Sequence, residues 1–242
     1  MNRLLILSGL CLVLLTASCR EEMVIGHGTE STVQQDVKGY YNRIEIEAPV
    51  DAKIEVAAVS APSVTLSGFT NLLPYIKMEV KDSTLRIYVK EVVSLHTEKN
   101  LEARIILPSL AGISTSGSSD VNVTGNVTGP ALEIDISGAG DAVLQSVNVS
   151  DLNIDLSGAA SVTIQSGTVN KAEYEASGAG HIYAYGLQTT LTSVDFSGAG
   201  SAEVTASQTL DVEVSGAGSV SYKGHPSINK SISGVGSVTD AN

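Results

Sequence analysis

The sequence predicts an all-β protein whose C-terminal half is a single-stranded, right-handed β-helix of about 20-residue coils, joined to a degenerate β-rich N-terminal portion. Three observations carry this reading. A glycine-rich phrase recurs as Ser116-Gly117-Ser118-Ser119, Ser137-Gly138-Ala139-Gly140, Ser157-Gly158-Ala159-Ala160, Ser177-Gly178-Ala179-Gly180, Ser197-Gly198-Ala199-Gly200, Ser215-Gly216-Ala217-Gly218 and Ser233-Gly234-Val235-Gly236, its serines 21, 20, 20, 20, 18 and 18 residues apart. Apolar residues alternate with polar ones on both sides of each phrase, as in Ile134 and Ile136 before the second and Ala142 and Leu144 after it. Aromatic residues make up only 4% of the chain, with no Trp, so a core would be built from small and β-branched side chains. That composition suits thin, closely stacked sheets.

Two short strands per repeat therefore face one interior. A hairpin meander could also use 20-residue units, but it has no reason to hold so constant a period. In a coil stack each repeat makes one full turn, and equivalent residues sit above one another at the ~4.8 Å strand spacing. This puts Ile113, Ile134, Ile154, Tyr174, Val194 and Val212 in one inward column. It also explains the fixed glycine, because a tight corner needs a backbone without Cβ.

The remaining elements follow in chain order. Residues 1–18 read as a lipoprotein signal peptide: a basic start at Arg3, then a 14-residue apolar run from Leu4 to Ala17. That run is too short to span a bilayer, which takes about 20 residues. It ends in Leu15-Thr16-Ala17-Ser18-Cys19, which resembles the lipobox of bacterial lipoproteins, with Thr16 where an aliphatic residue is usual. The resemblance implies cleavage before Cys19 and acylation of its thiol. Cys11 leaves with the leader, so Cys19 is the lone mature cysteine and no disulfide can form within the chain. Residues 19–38 read as a tether, because Gly26 and Gly28 flank His27 and the stretch is polar. Arg20-Glu21-Glu22 resembles the surface-export signal of Bacteroidetes lipoproteins. Residues 39–110 read as wider coils or a cap, with alternation at Ile44 and Ile46, Ile54 and Val56, and Leu85 to Val89, interrupted at Asn71-Leu72-Leu73-Pro74. The regular repeats fill 111–242.

Tyr41-Asn42-Arg43-Ile44, Leu107-Pro108-Ser109-Leu110 and the Ser-Gly-x-Gly phrases resemble the Bacteroidetes adhesin family with an autotransporter-like head domain, in its lipoprotein form. The resemblance covers about 40–242 and implies adhesion; together with the lipobox-like leader and the Arg20-Glu21-Glu22 start it leads to an expected lipid-anchored, outer-membrane, surface-exposed localisation. It supplies no binding residues.

Bulk charge excludes one class of partner. The formal charge is −12 and becomes −13 when Arg3 is lost with the leader, so nucleic acid and anionic lipid surfaces are repelled. The four histidines are widely separated without metal-ligand spacing, and no cofactor or metal is expected. Seven equivalent serines form a structural ladder rather than a nucleophile, which needs one site with a base beside it. Tyr174 and Tyr222 fall at inward positions; Tyr183 and Tyr185 flank inward Ala184 and should face outward as an aromatic patch for a glycan or host surface protein. The reading is a non-catalytic binding module, against the alternatives of a structural envelope protein or a polysaccharide-active enzyme. Only Val238 to Asn242 follow the last phrase and its Ser237, so an open strand edge and weak self-association through the final coil are also expected.

Overall fold

The computed structural model describes residues 22–90, 93–98 and 100–242. The leader and Cys19 lie outside these residues. The described chain runs β1 (Glu22–Ile25), β2 (Glu30–Gln35), β3 (Arg43–Glu47), β4 (Val50–Val56), β5 (Ser63–Phe69), a 3-10 turn (Leu73–Tyr75), β6 (Ile76–Lys81), β7 (Thr84–Val89), β8 (Val93–His96), β9 (Leu101–Leu107) and β10 (Gly112–Gly117). It continues through β11 (Val121–Gly138), β12 (Asp141–Gly158), β13 (Ser161–Ile164), β14 (Gly167–Gly178), β15 (His181–Phe196), β16 (Ser201–Gly216), β17 (Ser219–Lys223), β18 (Ser227–Gly234) and β19 (Ser237–Asp240). Strand makes up 73% of the described residues, wound into a β-solenoid of about six turns. The seven glycine phrases are the corners that bound those turns.

Pairing between successive coils is parallel and in register: Ile134 lies against Ile154, Ile154 against Tyr174, and Tyr174 against Val194. A hairpin meander would have paired antiparallel. Each regular coil has three flat runs. One precedes the glycine corner (Glu133–Gly138 in β11), one follows it (Val121–Val123), and a third joins them, with pairing interrupted between Val123 and Asn126. The inward columns are buried through most of the stack, including Ile134, Ile154, Tyr174, Val162, Ile182 and Phe196, and open to solvent in the last coil, where Lys230 and Ile232 are exposed. Tyr174 fits the narrow interior at the expense of its hydroxyl, which finds no hydrogen-bond partner and is pushed up in pKa by burial.

The corner is closed by backbone rather than by serine. Ala139 donates to the Gly117 carbonyl at 2.8 Å, Ala159 to Gly138 at 2.9 Å and Ala179 to Gly158 at 2.8 Å, so the ladder continues around the bend. The phrase serines stand outside it, exposed; of them Ser137 donates weakly to the Thr115 carbonyl at 3.4 Å.

The N-terminal part is threaded out of order. β3 and β4 form a coil that pairs with β7 and β9 on one side and with β10 and β11 on the other. The first coil of the sequence is thus inserted between two later ones. Beneath it, β5 pairs antiparallel with β9 and with β2, and β6 antiparallel with β7, closing the base with the 3-10 turn between them. Residues 22–35, read from sequence as part of a tether, are mostly strand. β2 zips along β5, and β1 pairs with β8 in a separate two-stranded ribbon. Glycine around His27 marks the turn between these strands, not a flexible arm.

Candidate functional site

The alternation that buries Ile182 and Ala184 turns His181, Tyr183 and Tyr185 outward on the face that follows the glycine corner. His181 and Tyr183 are stacked with centroids 6.2 Å apart and planes 19° from parallel. His181 Nδ1 and Ser201 Oγ share a 2.7 Å hydrogen bond that fixes the imidazole. Tyr183 is 40% exposed. Below the pair in the stack lie Ser161 and Thr163; above it lie Ser201 and Glu203. The result is a flat ledge with one open aromatic face, hydroxyls around it and a carboxylate at its upper rim.

Tyr185 differs from its partner in the expected patch. At its corner the next coil is shorter: Ala184 pairs with Val204, but Thr205 already pairs with Gln188. That shortening leaves room above the Tyr185 ring, and the Lys223 ammonium from two coils on sits 4.6 Å from its centroid. Tyr185 is half-buried, its ring engaged within the chain. The structure therefore places both tyrosines on one face but brings only His181 and Tyr183 together as an open surface. Sequence reasoning set His181 aside as one of four scattered histidines. Its position in the corner column Asp120, Asp141, Ser161, His181 and Ser201 was the available signal.

That column is itself organised by acids. Asp51 accepts the Asp120 amide at 3.1 Å, Asp120 accepts the Asp141 amide at 3.0 Å, and Asp141 accepts the Ser161 amide at 3.2 Å. These carboxylates cap the exposed strand starts of the coil above. Their role is satisfied locally.

The face before the corner carries a second ladder. Asp135, Asp155, Glu175, Asp195 and Glu213 stack in register over five successive coils. Among the described residues none of the five is in a salt bridge, while the flanking Glu133 and Glu173 are paired with Arg43 and Lys171. Burial, then Glu133 and Asp155, hold the Asp135 carboxyl above the ordinary range, against a smaller opposing pull from Arg43. Like charges directly opposite one another weaken a sheet. Each member lies two residues before a phrase serine, so the ladder is readable in the sequence once the period is fixed. At its upper end Asp195, Asp211, Glu213 and Lys230 line a shallow depression of about 310 Å³.

Among the described residues no group of three or more His, Cys, Asp or Glu side chains is placed to hold a metal, and no helix is long and apolar enough to cross a membrane.

The chain is similar to a crystal structure described as a putative adhesin from Bacteroides fragilis, with 26% identity, a TM-score of 0.84, and 90% of this chain and 99% of that one covered. A putative adhesin from Parabacteroides distasonis shares 25% identity at a TM-score of 0.74, covering 91% of this chain and all of that one. A protein from the same species described as a putative lipid binding protein shares the fold, at 23% identity and a TM-score of 0.74, with 91% of this chain and 100% of that one covered. Comparison with curated proteins finds no match. The family model described as "Putative auto-transporter adhesin, head GIN domain" matches residues 40–226, and the chain belongs to that family.

Proposed function

We propose that this chain is a non-catalytic, lipid-anchored binding module of the outer membrane that presents its ligand surface on a rigid β-solenoid. The observation that carries the binding part is the His181–Tyr183 ledge. It offers an open aromatic face on a sheet whose backbone is hydrogen-bonded above and below. Aromatic faces flanked by hydroxyls and charged groups suit the apolar and polar sides of a sugar ring, or an exposed protein side chain. The surface is broad and flat, as an adhesive contact requires, and membership of an adhesin family agrees with it.

A glycan and host-matrix array probed with the acylated protein would identify the ligand. The Tyr183→Ala variant is then expected to bind about two- to tenfold more weakly, since an aromatic contact contributes about 0.5–1.5 kcal/mol beyond area burial. Its melting temperature should stay close to that of the parent, surface substitutions costing about 0.5 kcal/mol or less. Equal affinity in parent and variant would remove the ledge as the binding site.

The anchor part rests on the leader and Cys19. Cys19→Ala is expected to abolish labelling by radioactive palmitate and to release the protein from the membrane fraction. Undiminished labelling and partitioning would overturn the anchor.

A further inference from the structure

We infer that the β1–β8 ribbon is a foot that rests on the lipid surface and holds the solenoid upright, an inference that depends on acylation of Cys19. The partner is the bilayer itself. The ribbon packs one side against the core through Val24 and Leu95. On its other side the register sets Met23 beside Ser94 and Ile25 beside His96. Met23 is 66% exposed and Ile25 57%. Among the described residues, four of the eight large apolar side chains that stay exposed, Met23, Ile25, Val33 and Tyr40, fall within residues 22–40. Isolated exposed apolar residues are ordinary; what distinguishes these is their position in the chain.

Only Arg20 and Glu21 separate Cys19 from Glu22, the first residue of β1. Three residue steps, fully extended, reach about 11 Å. An acylated Cys19 at the headgroup boundary therefore leaves no room for the ribbon to stand clear of the membrane. Gly26 extends the ribbon's own ladder by donating to the His96 carbonyl at 2.8 Å, and Asn71 fixes the ribbon to the base: its Nδ2 donates to the Ile25 carbonyl at 2.8 Å and its Oδ1 accepts from the His27 amide at 3.1 Å. Two apolar side chains are far too small a surface for a stable dimer, which needs on the order of 1,000 Å². They suffice for orientation once the acyl chains have supplied the affinity, because the contact is then intramolecular. The apolar character of the contact also suits an acidic head that gains nothing from anionic lipid.

Upright seating fixes where the binding face lies. β15 is five strand spacings from β9 along its face, through β4, β11, β12 and β13. The His181–Tyr183 ledge therefore stands about 24 Å above the base coil.

The acylated mature protein has no free thiol, so Ile25→Cys and Val235→Cys each introduce a single labelling site at opposite ends of the solenoid. Both are labelled with an environment-sensitive fluorophore and reconstituted in phosphatidylcholine vesicles containing a spin-labelled quencher lipid. Quenching is expected to be severalfold stronger at position 25 than at 235. A probe at Ser94→Cys is expected to be quenched in the parent and to lose most of that quenching when Met23→Ser and Ile25→Ser are added, with palmitate labelling and vesicle flotation intact. Equal quenching at 25 and 235, or no change at 94 on adding the serines, overturns the foot while leaving the anchor standing. Self-quenching between labelled copies without lipid quenching overturns it in favour of a second copy of the chain. Loss of palmitate labelling and flotation in the parent overturns the anchor, and the foot with it.

Discussion

Ile154→Asp is expected to eliminate the folded state. Ile154 is 1% exposed, between Ile134 below and Tyr174 above in an inward column of the solenoid. The change removes about 1.5–3 kcal/mol of apolar burial and places a carboxylate where burial without a partner costs several kcal/mol more. A domain of this kind has roughly 5–15 kcal/mol to lose, and residues 22–242 contain no cysteine with which a disulfide could compensate. Thr163→Asp is the matched control, at a half-buried outward position of β13. It should change stability by about 0.5 kcal/mol or less. Thermal melts followed by circular dichroism decide between them, and equal shifts would mean that the inward and outward faces are wrongly assigned.

Gly158→Ala is the second large effect, and it acts through backbone rather than core. Gly158 has φ +146°, and a Cβ built there would lie 2.2 Å from the Gly138 carbonyl oxygen and 3.0 Å from the Gly138 nitrogen. Those atoms belong to the coil below and cannot rotate away. The layers must part at the corner, weakening the Ala159 to Gly138 hydrogen bond. The expected loss is about 3 kcal/mol or more, combining backbone strain of about 1–3 kcal/mol with the weakened ladder. Gly117→Ala separates the two causes. Gly117 has φ +106° but nothing within 4 Å of its would-be Cβ, so only the strain remains. Urea unfolding of both variants should show the larger drop in midpoint for Gly158→Ala. Equal drops would show that the contact between layers contributes nothing.

These two positions also show why so much of the C-terminal half was legible. The glycine phrase repeats because the same steric demand recurs in each layer, and the period then assigns every neighbouring side chain to the interior or to solvent. Ile134, Ile154, Val162 and Ile182 are buried where alternation put them, and Tyr183 is outward. The N-terminal half lacks that redundancy. Ile44 and Ile46 alternate like any strand, but their partners Leu85, Ile87, Ile113 and Thr115 are about 40 to 70 residues away, and Ala48-Pro49 rather than a glycine phrase turns the corner. Nothing local specifies the inserted coil. β1 and β2 were missed because Ser31, Gln34 and Gln35 are polar in a strand at the end of the stack, where even the core-side positions meet solvent. The split between Tyr183 and Tyr185 depends on a register shift between β15 and β16, which the shortened 18-residue spacing hints at without locating.

The inserted coil also governs how the molecule bears tension. In the anchored arrangement proposed above, force enters at the bound face and leaves through the N-terminus. Pulling there first draws on β1 and then on β2, each held along a single edge, by β8 and β5 respectively. Peeling them frees residues 22–42, roughly 70 Å of slack at full extension. The pull then reaches β3, which is gripped along both edges, by β7 and by β10. Beyond β3, the chain from Leu107 to Gly112 crosses that layer covalently, tying the coil below it to the coil above. Slack pays out before the solenoid is loaded, and the load then meets a strand clamped along both edges.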